Sequence, residues 1–152
     1  MSIPGGPGFS REQALAFEKK YFAGDAQDEW AVMNQVGDAI GDALLRDMRE
    51  LRTIPHRPRL LVLVGKGHNG GDALLAAKRL LRTIPTMRAV VWPLVPWSEC
   101  RPFVRKALEE AQELVGKKME VLEPVSANPS LDSLSTIWSE VSEGKGFDAT
   151  LD

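Results

Sequence analysis

Between Asp28 and Leu51 apolar residues return every three or four positions: Val32, Met33, Val36, Ile40, Leu44, Met48 and Leu51. That spacing gathers them on one stripe of a helix and predicts that the stripe is buried. Ahead of it, Ser10-Arg11-Glu12-Gln13 forms a capping box, which starts an earlier helix. At Leu60-Leu61-Val62-Leu63-Val64 the periodicity gives way to a continuous apolar run closed by Gly65, the pattern of a strand buried on both faces. A helix over Asp72–Leu81 follows, then a second strand over Arg88–Leu94, closed by Pro93 and Pro96. Ser98 is a suitable cap for the next helix, with Pro102 in its first turn and Phe103, Ala107, Leu108, Ala111, Leu114 and Val115 as its stripe. Met119–Leu122 reads as a third strand. A helix over Ser130–Val141 carries Leu131, Leu134, Ile137, Trp138 and Val141, and Gly144-Lys145-Gly146 turns the chain into a last strand, Phe147–Leu151.

The order is α-α-β-α-β-α-β-α-β. Right-handed crossovers then predict an α/β fold, a Rossmann-like three-layer sandwich with a mostly parallel sheet and two leading helices, with sites at the carboxyl ends of the strands. The pentapeptide Leu-Arg-Thr-Ile-Pro occurs at Leu51–Pro55 and again at Leu81–Pro85, each time between a helix and a strand. Proline stops the helix and arginine suits its carboxyl end. Residues 1–9 are expected to be a flexible lead-in and residues 10–152 a single Rossmann domain. A buried strand that runs into Asp152 is expected to belong to a domain that is C-terminally incomplete.

Charge narrows the partners. Nineteen Lys and Arg against 21 Asp and Glu leave a net charge of −2, so no overall basic field is present to hold a nucleic acid or an anionic membrane. The lone cysteine, Cys100, excludes an internal disulfide and a cysteine-rich zinc site. With no signal-peptide pattern at Met1–Gly8 and no apolar run approaching ~18 residues, a cytoplasmic protein is expected.

The densest chemistry lies in Val64-Gly65-Lys66-Gly67-His68-Asn69-Gly70-Gly71-Asp72-Ala73. Gly65, Gly67 and Gly70 satisfy G-x-G-x-x-G between a strand and a helix, where backbone N–H groups and the helix dipole favour a pyrophosphate or carboxylate. The acidic residue that a dinucleotide fingerprint needs at the end of the second strand is missing, since Val95, Pro96 and Trp97 stand there, and no Gly-Lys-Ser/Thr makes a Walker loop. Asn69 and Asp72 instead offer oxygens to a hard cation or to substrate hydroxyls. Two plainer roles compete: a left-handed turn conformation at Asn69 and a helix cap at Asp72. Lys66 either touches a phosphate or points into water.

From Leu63 to Leu80 this segment resembles the signature of the YjeF N-terminal domain family, the NAD(P)HX epimerases, whose loop reads G-x-G-N-N-G-G-D-G. Gln13–Glu18 and Val32–Gly37 resemble that family's two leading helices, and Phe147–Asp152 resembles the start of its later D-A-x-x-G strand end. Four positions depart from the signature: His68 and Ala73 replace Asn and Gly, and Asn34-Gln35 replaces Glu-Asn. The resemblance implies an NAD(P)H-hydrate epimerase that interconverts the R and S epimers of NADHX and NADPHX in nicotinamide nucleotide repair, linked to an ATP/ADP-dependent NAD(P)HX dehydratase. It implies that Gly67, His68, Asn69, Gly70, Gly71 and Asp72 bind substrate, and that Asn69 and Asp152 ligate one K+ per subunit. Asp152 is the candidate catalytic acid–base residue, and a homodimer is expected. The alternative is a non-catalytic Rossmann-like binding or scaffold module of the same family. Trp30, Trp92, Trp97 and Trp138 read as packing residues, and Cys100, near a helix start, as an unlikely nucleophile.

Overall fold

A computed structural model describes Glu12, Ala16 and residues 26–152, and the chain divides into two compact units, residues 1–32 and 33–152. Glu12 and Ala16 are helical, while Ser10 and Gln13, the two ends of the capping box, and the lead-in over residues 1–9 lie outside the described residues. The elements in chain order are α1 (Ala26–Leu51), β1 (Arg59–Val64), α2 (His68–Thr83), β2 (Arg88–Pro93), α3 (Pro102–Val115), β3 (Met119–Val121), α4 (Leu131–Ser142) and β4 (Ala149–Leu151). Short 3-10 turns occupy Trp97–Glu99 and Gly116–Lys118.

The four strands form one sheet in the order β3-β2-β1-β4, and every pairing is parallel, with Leu61 opposite Val90 and Thr150, and Val91 opposite Val121. The Rossmann-like α/β layering expected from the sequence is therefore present. The chain winds outward from β1 to β3, then returns through α4 to place β4 on the other side of β1. Right-handed connections put α2 and α3 on one face of the sheet and α4 on the other. The strand order reverses between β1 and β4, and there the loops at the carboxyl ends part to leave a crevice.

Side chains alternate across β1 and β2. Leu60, Val62 and Val64 are fully buried on the face of α2 and α3, while Leu61, Val90 and Trp92 pack under Leu134, Ile137 and Val141 of α4. The stripe predicted for α1 is displaced. Met33, Gly37, Gly41, Leu45 and Met48 form the buried line, whereas Val36 and Ile40 are 40% and 37% exposed and Leu51 is 84% exposed. The reason is close approach: a Cβ on Gly37 would stand 2.3 Å from the Leu75 Cβ of α2, and one on Gly41 would stand 2.9 Å from the Arg79 Cβ. Lys78 of α2, nearly buried, donates to Asn34 Oδ1 of α1 at 3.0 Å and to Glu110 Oε2 of α3 at 3.4 Å.

Three further expectations shift. Ser98 does not cap α3; it lies in a 3-10 turn, and Arg101 is the cap residue before Pro102. The buried stripe of α3 is Val104, Ala107, Ala111 and Val115, with Leu114 57% exposed. Arg52, in the first pentapeptide copy, reaches Asp148 rather than a helix end, donating to its carbonyl at 2.6 Å and its Oδ1 at 3.2 Å. Asp148 Oδ2 in turn accepts from the Arg59 N–H at 2.8 Å, so the approach to β4 is tied to the start of β1.

Candidate functional site

The glycine-rich turn is shorter than the sequence suggested, because α2 begins at His68 rather than Asp72. Gly67 is the cap residue in extended geometry with no side-chain cap, and the Gly70 N–H donates to the Gly67 carbonyl at 3.2 Å. His68, Asn69, Gly70 and Gly71 thus form the first helical turn, where N–H groups lack the acceptors found further along a helix. Backbone freedom is not what the glycines supply. Glu143 is the sole non-glycine with positive φ among the described residues, and the positive-φ glycines are Gly116, Gly144 and Gly146. Gly70 is needed for proximity, since a Cβ there would sit 2.5 Å from the Gly65 carbonyl oxygen. Asn69 therefore holds no left-handed turn, and Asp72 caps no helix.

A cavity of about 440 Å³ opens at the crevice between β1 and β4. Leu63 and Gly65 supply its β1 side, Gly67, His68, Asn69 and Gly70 its α2 side, Leu94 one wall, and Asp152 the β4 side. Pairing of β4 with β1 is what brings Asp152 to the glycine-rich turn across most of the chain. Gly71 and Asp72 do not line this space. Gly71 faces the protein interior, where an added Cβ would meet the flexible Met33 Cε at 2.7 Å, with Val104 behind it. Asp72 is half-buried, and burial pushes its carboxyl above the usual range while the neighbouring His68 pulls the other way.

Sequence reasoning missed Arg101. Its guanidinium Nη1 contacts His68 Nε2, and its main-chain N–H donates to the Lys66 carbonyl at 3.1 Å, so the end of the β2–α3 loop is fastened to the turn. No local pattern marks that pairing; the only clue was the helix start, which the sequence reading had placed at Ser98. Cys100, beside it, is 4% exposed, and burial pushes its thiol up, the opposite of nucleophile activation. Lys66 is exposed and lies off the cavity wall. Trp92 is buried, as a packing role requires, although its indole N–H has no partner.

Among the described residues no group of three or more His, Cys, Asp or Glu side chains converges as a metal site. No described helix is long and apolar enough to cross a membrane. The geometry offers a cationic helix start, one amide, one imidazole and one carboxylate around an open crevice. That set can hold an anionic group at the N–H end and a polar or weakly cationic group between Asn69 and Asp152.

A comparison with curated proteins returns no match. Among solved structures, the crystal structure of yeast ynu0 is similar, with a TM-score of 0.55 and 19% identity over 88% of this chain and 64% of that one. This is a likeness of fold, and the chain spans 64% of that protein's length. The sequence model of the family described as "YjeF-related protein N-terminus" matches residues 29–137, which run from α1 through the glycine-rich turn into α4. The chain belongs to the YjeF-related protein N-terminus family.

Proposed function

We propose that the chain is an isomerase domain of the NAD(P)H-hydrate epimerase type, acting on NADHX or NADPHX at the crevice between β1 and β4. The observation that carries this reading is that Asn69 and Asp152 line one cavity together with the glycine-lined start of α2. The pyrophosphate of the nucleotide would lie against the first-turn N–H groups of α2, where the helix dipole favours negative charge. Asp152 is the carboxylate among the lining residues, and it would relay the proton of the substrate hydroxyl to the ring nitrogen as the C–N bond of the hydrated carbon opens to an aldehyde, and reverse the transfer as the ring recloses on the other face.

A potassium ion fits the donor chemistry. The Asn69 amide oxygen and Asp152 carboxylate are hard donors, and two such ligands with backbone carbonyls or water suit a weakly held cation of low charge. When bound, the ion would supply a fixed positive charge between these two side chains; Asn69 and Asp152 would hold it. Whether the domain assembles as a homodimer and feeds a dehydratase belongs to the same proposal.

A second reading is favoured by one observation. His68 replaces the signature asparagine and is engaged by Arg101, so the turn has a different polar face from the family's, and a non-catalytic nucleotide-binding module is consistent with it. Epimerisation of separated S- and R-NADHX, followed chromatographically with and without potassium, distinguishes the two. Equilibration that Asn69→Ala and Asp152→Ala slow by at least tenfold supports the isomerase. Tight NADHX binding without equilibration selects the binding module, and neither binding nor turnover sinks both.

A further inference from the structure

The opposite end of the sheet carries a second cavity, of about 340 Å³, where the strands begin. Six cationic side chains line it: Arg57, Arg59, Arg88, Lys117, Lys118 and Lys145. They face two carboxylates, Glu120 and Glu143, which leaves four positive charges uncompensated. In a chain whose net charge is −2, that concentration is local and not a reflection of overall composition.

Part of this charge serves the fold. Helix carboxyl ends gather at this side of the sheet and attract cations. Arg59 donates to the carbonyls of Val141, Ser142 and Gly146 at 2.6, 2.7 and 2.9 Å, closing α4, and its guanidinium lies 4.7 Å over the Phe147 ring. Lys118 donates to the Leu81 carbonyl and, at 3.3 Å, to that of Ile84, closing α2. Arg88 donates to the Lys117 carbonyl at 3.3 Å. The ends of the helices therefore account for Arg59, Lys118 and Arg88. They do not account for Arg57, Lys117 and Lys145, whose side chains make no hydrogen bond or ion pair among the described residues. Burial, and then the charge of Arg88, push the Lys118 ammonium below its ordinary range.

We propose that this basic cavity binds a small molecule bearing two or more linked phosphates, at a site separate from the glycine-rich turn. Its shape favours such a ligand over an extended polyanion, because the cations ring a concavity of ligand size rather than a flat stripe. Arg57 and Arg88 present planar forks suited to phosphate oxygens, while Lys117 and Lys145 act as point charges at the rim. Phe147 and Val90 add an apolar wall beside them, against which a non-phosphate portion can rest.

Titration calorimetry of the full chain with inorganic pyrophosphate and, separately, with ADP tests the site. Binding of pyrophosphate is expected, weakened at least tenfold in Lys117→Glu/Lys145→Glu, both exposed positions, with circular dichroism confirming the fold. Arg46→Glu/Arg49→Glu on α1 changes the net charge equally and is expected to leave binding intact. If ADP binds more tightly than pyrophosphate the ligand is a nucleotide; if both bind equally it is recognised by its phosphate chain alone. The proposal falls if neither ligand binds, if the α1 pair weakens binding as much as the cavity pair, or if Asn69→Ala abolishes it, which would assign the phosphates to the glycine-rich turn.

Discussion

The two faces of the sheet are built by different means. On one, α1 and α2 approach through Gly37 and Gly41 until backbone nearly meets side chain, and Leu60, Val62, Val64, Leu74, Leu75 and Leu80 are excluded from water. On the other, α4 alone covers Leu61, Val90 and Trp92, with its own apolar residues only partly buried and Trp138 45% exposed. Close packing yields little to added volume, because Gly37 faces the Cβ and backbone of Leu75 and the backbone of Ala76, which cannot swing away. The face under α4 has slack, and its substitutions should be forgiven. The candidate site rests at the junction of the two, with the start of α2 on the rigid side.

The comparison breaks first at Gly37. Gly37→Ala forces a Cβ into Leu75 and the adjoining backbone, and should cost about 3 kcal/mol in denaturant unfolding. A cost below ~1 kcal/mol would mean that α1 is held less tightly than its geometry states. Trp138→Ala removes a half-exposed ring that tilts against Phe147 at 5.8 Å, and about 1.5 kcal/mol is expected. Amide exchange sharpens the contrast without mutation: α4 protons should exchange well before those of α2. Asp72→Asn should have a smaller effect with a defined sign. Because burial raises the folded carboxyl, its ionisation opposes folding, and that penalty sets in as pH rises from the unfolded value, 3.8, through the folded one. The asparagine variant should therefore be slightly more stable at neutral pH and lose its advantage in acid. Leu131→Ser, at 85% exposure, should leave stability within ~0.5 kcal/mol of the parent chain.

Sequence reading found β1 and β2 to within a residue because a strand buried on both faces leaves an uninterrupted apolar run. It failed where burial is achieved by small residues. Gly37 and Gly41 carry no hydrophobic signal, so the buried line of α1 was assigned to Val36 and Ile40, one position away. The same bias treated Gly70-Gly71 as loop and started α2 four residues late. Gly67 to Gly70 were legible from spacing as a turn at a strand's carboxyl end, where they line the cavity, and Asp152 only through the family resemblance, since nothing local links it to the turn. Arg101 meets His68 through a loop closure that no periodicity encodes. The basic cavity was illegible for a related reason: its cations come from four separate segments that only the sheet assembles.

The pairing of β4 with β1 bears on synthesis. As the chain leaves the ribosome, β2 and β3 can join β1 soon after they appear, but the other edge of β1 stays open until residues 149–151 have emerged. Until then Leu60, Leu61 and Val62 present an unsatisfied apolar edge to any passing strand. The Arg52 guanidinium and the Arg59 main-chain N–H, already in place, await Asp148 and favour the correct late arrival. Nascent chains halted before Asp148 should therefore be the aggregation-prone species, and the crevice that hosts the candidate site forms only once β4 has joined β1.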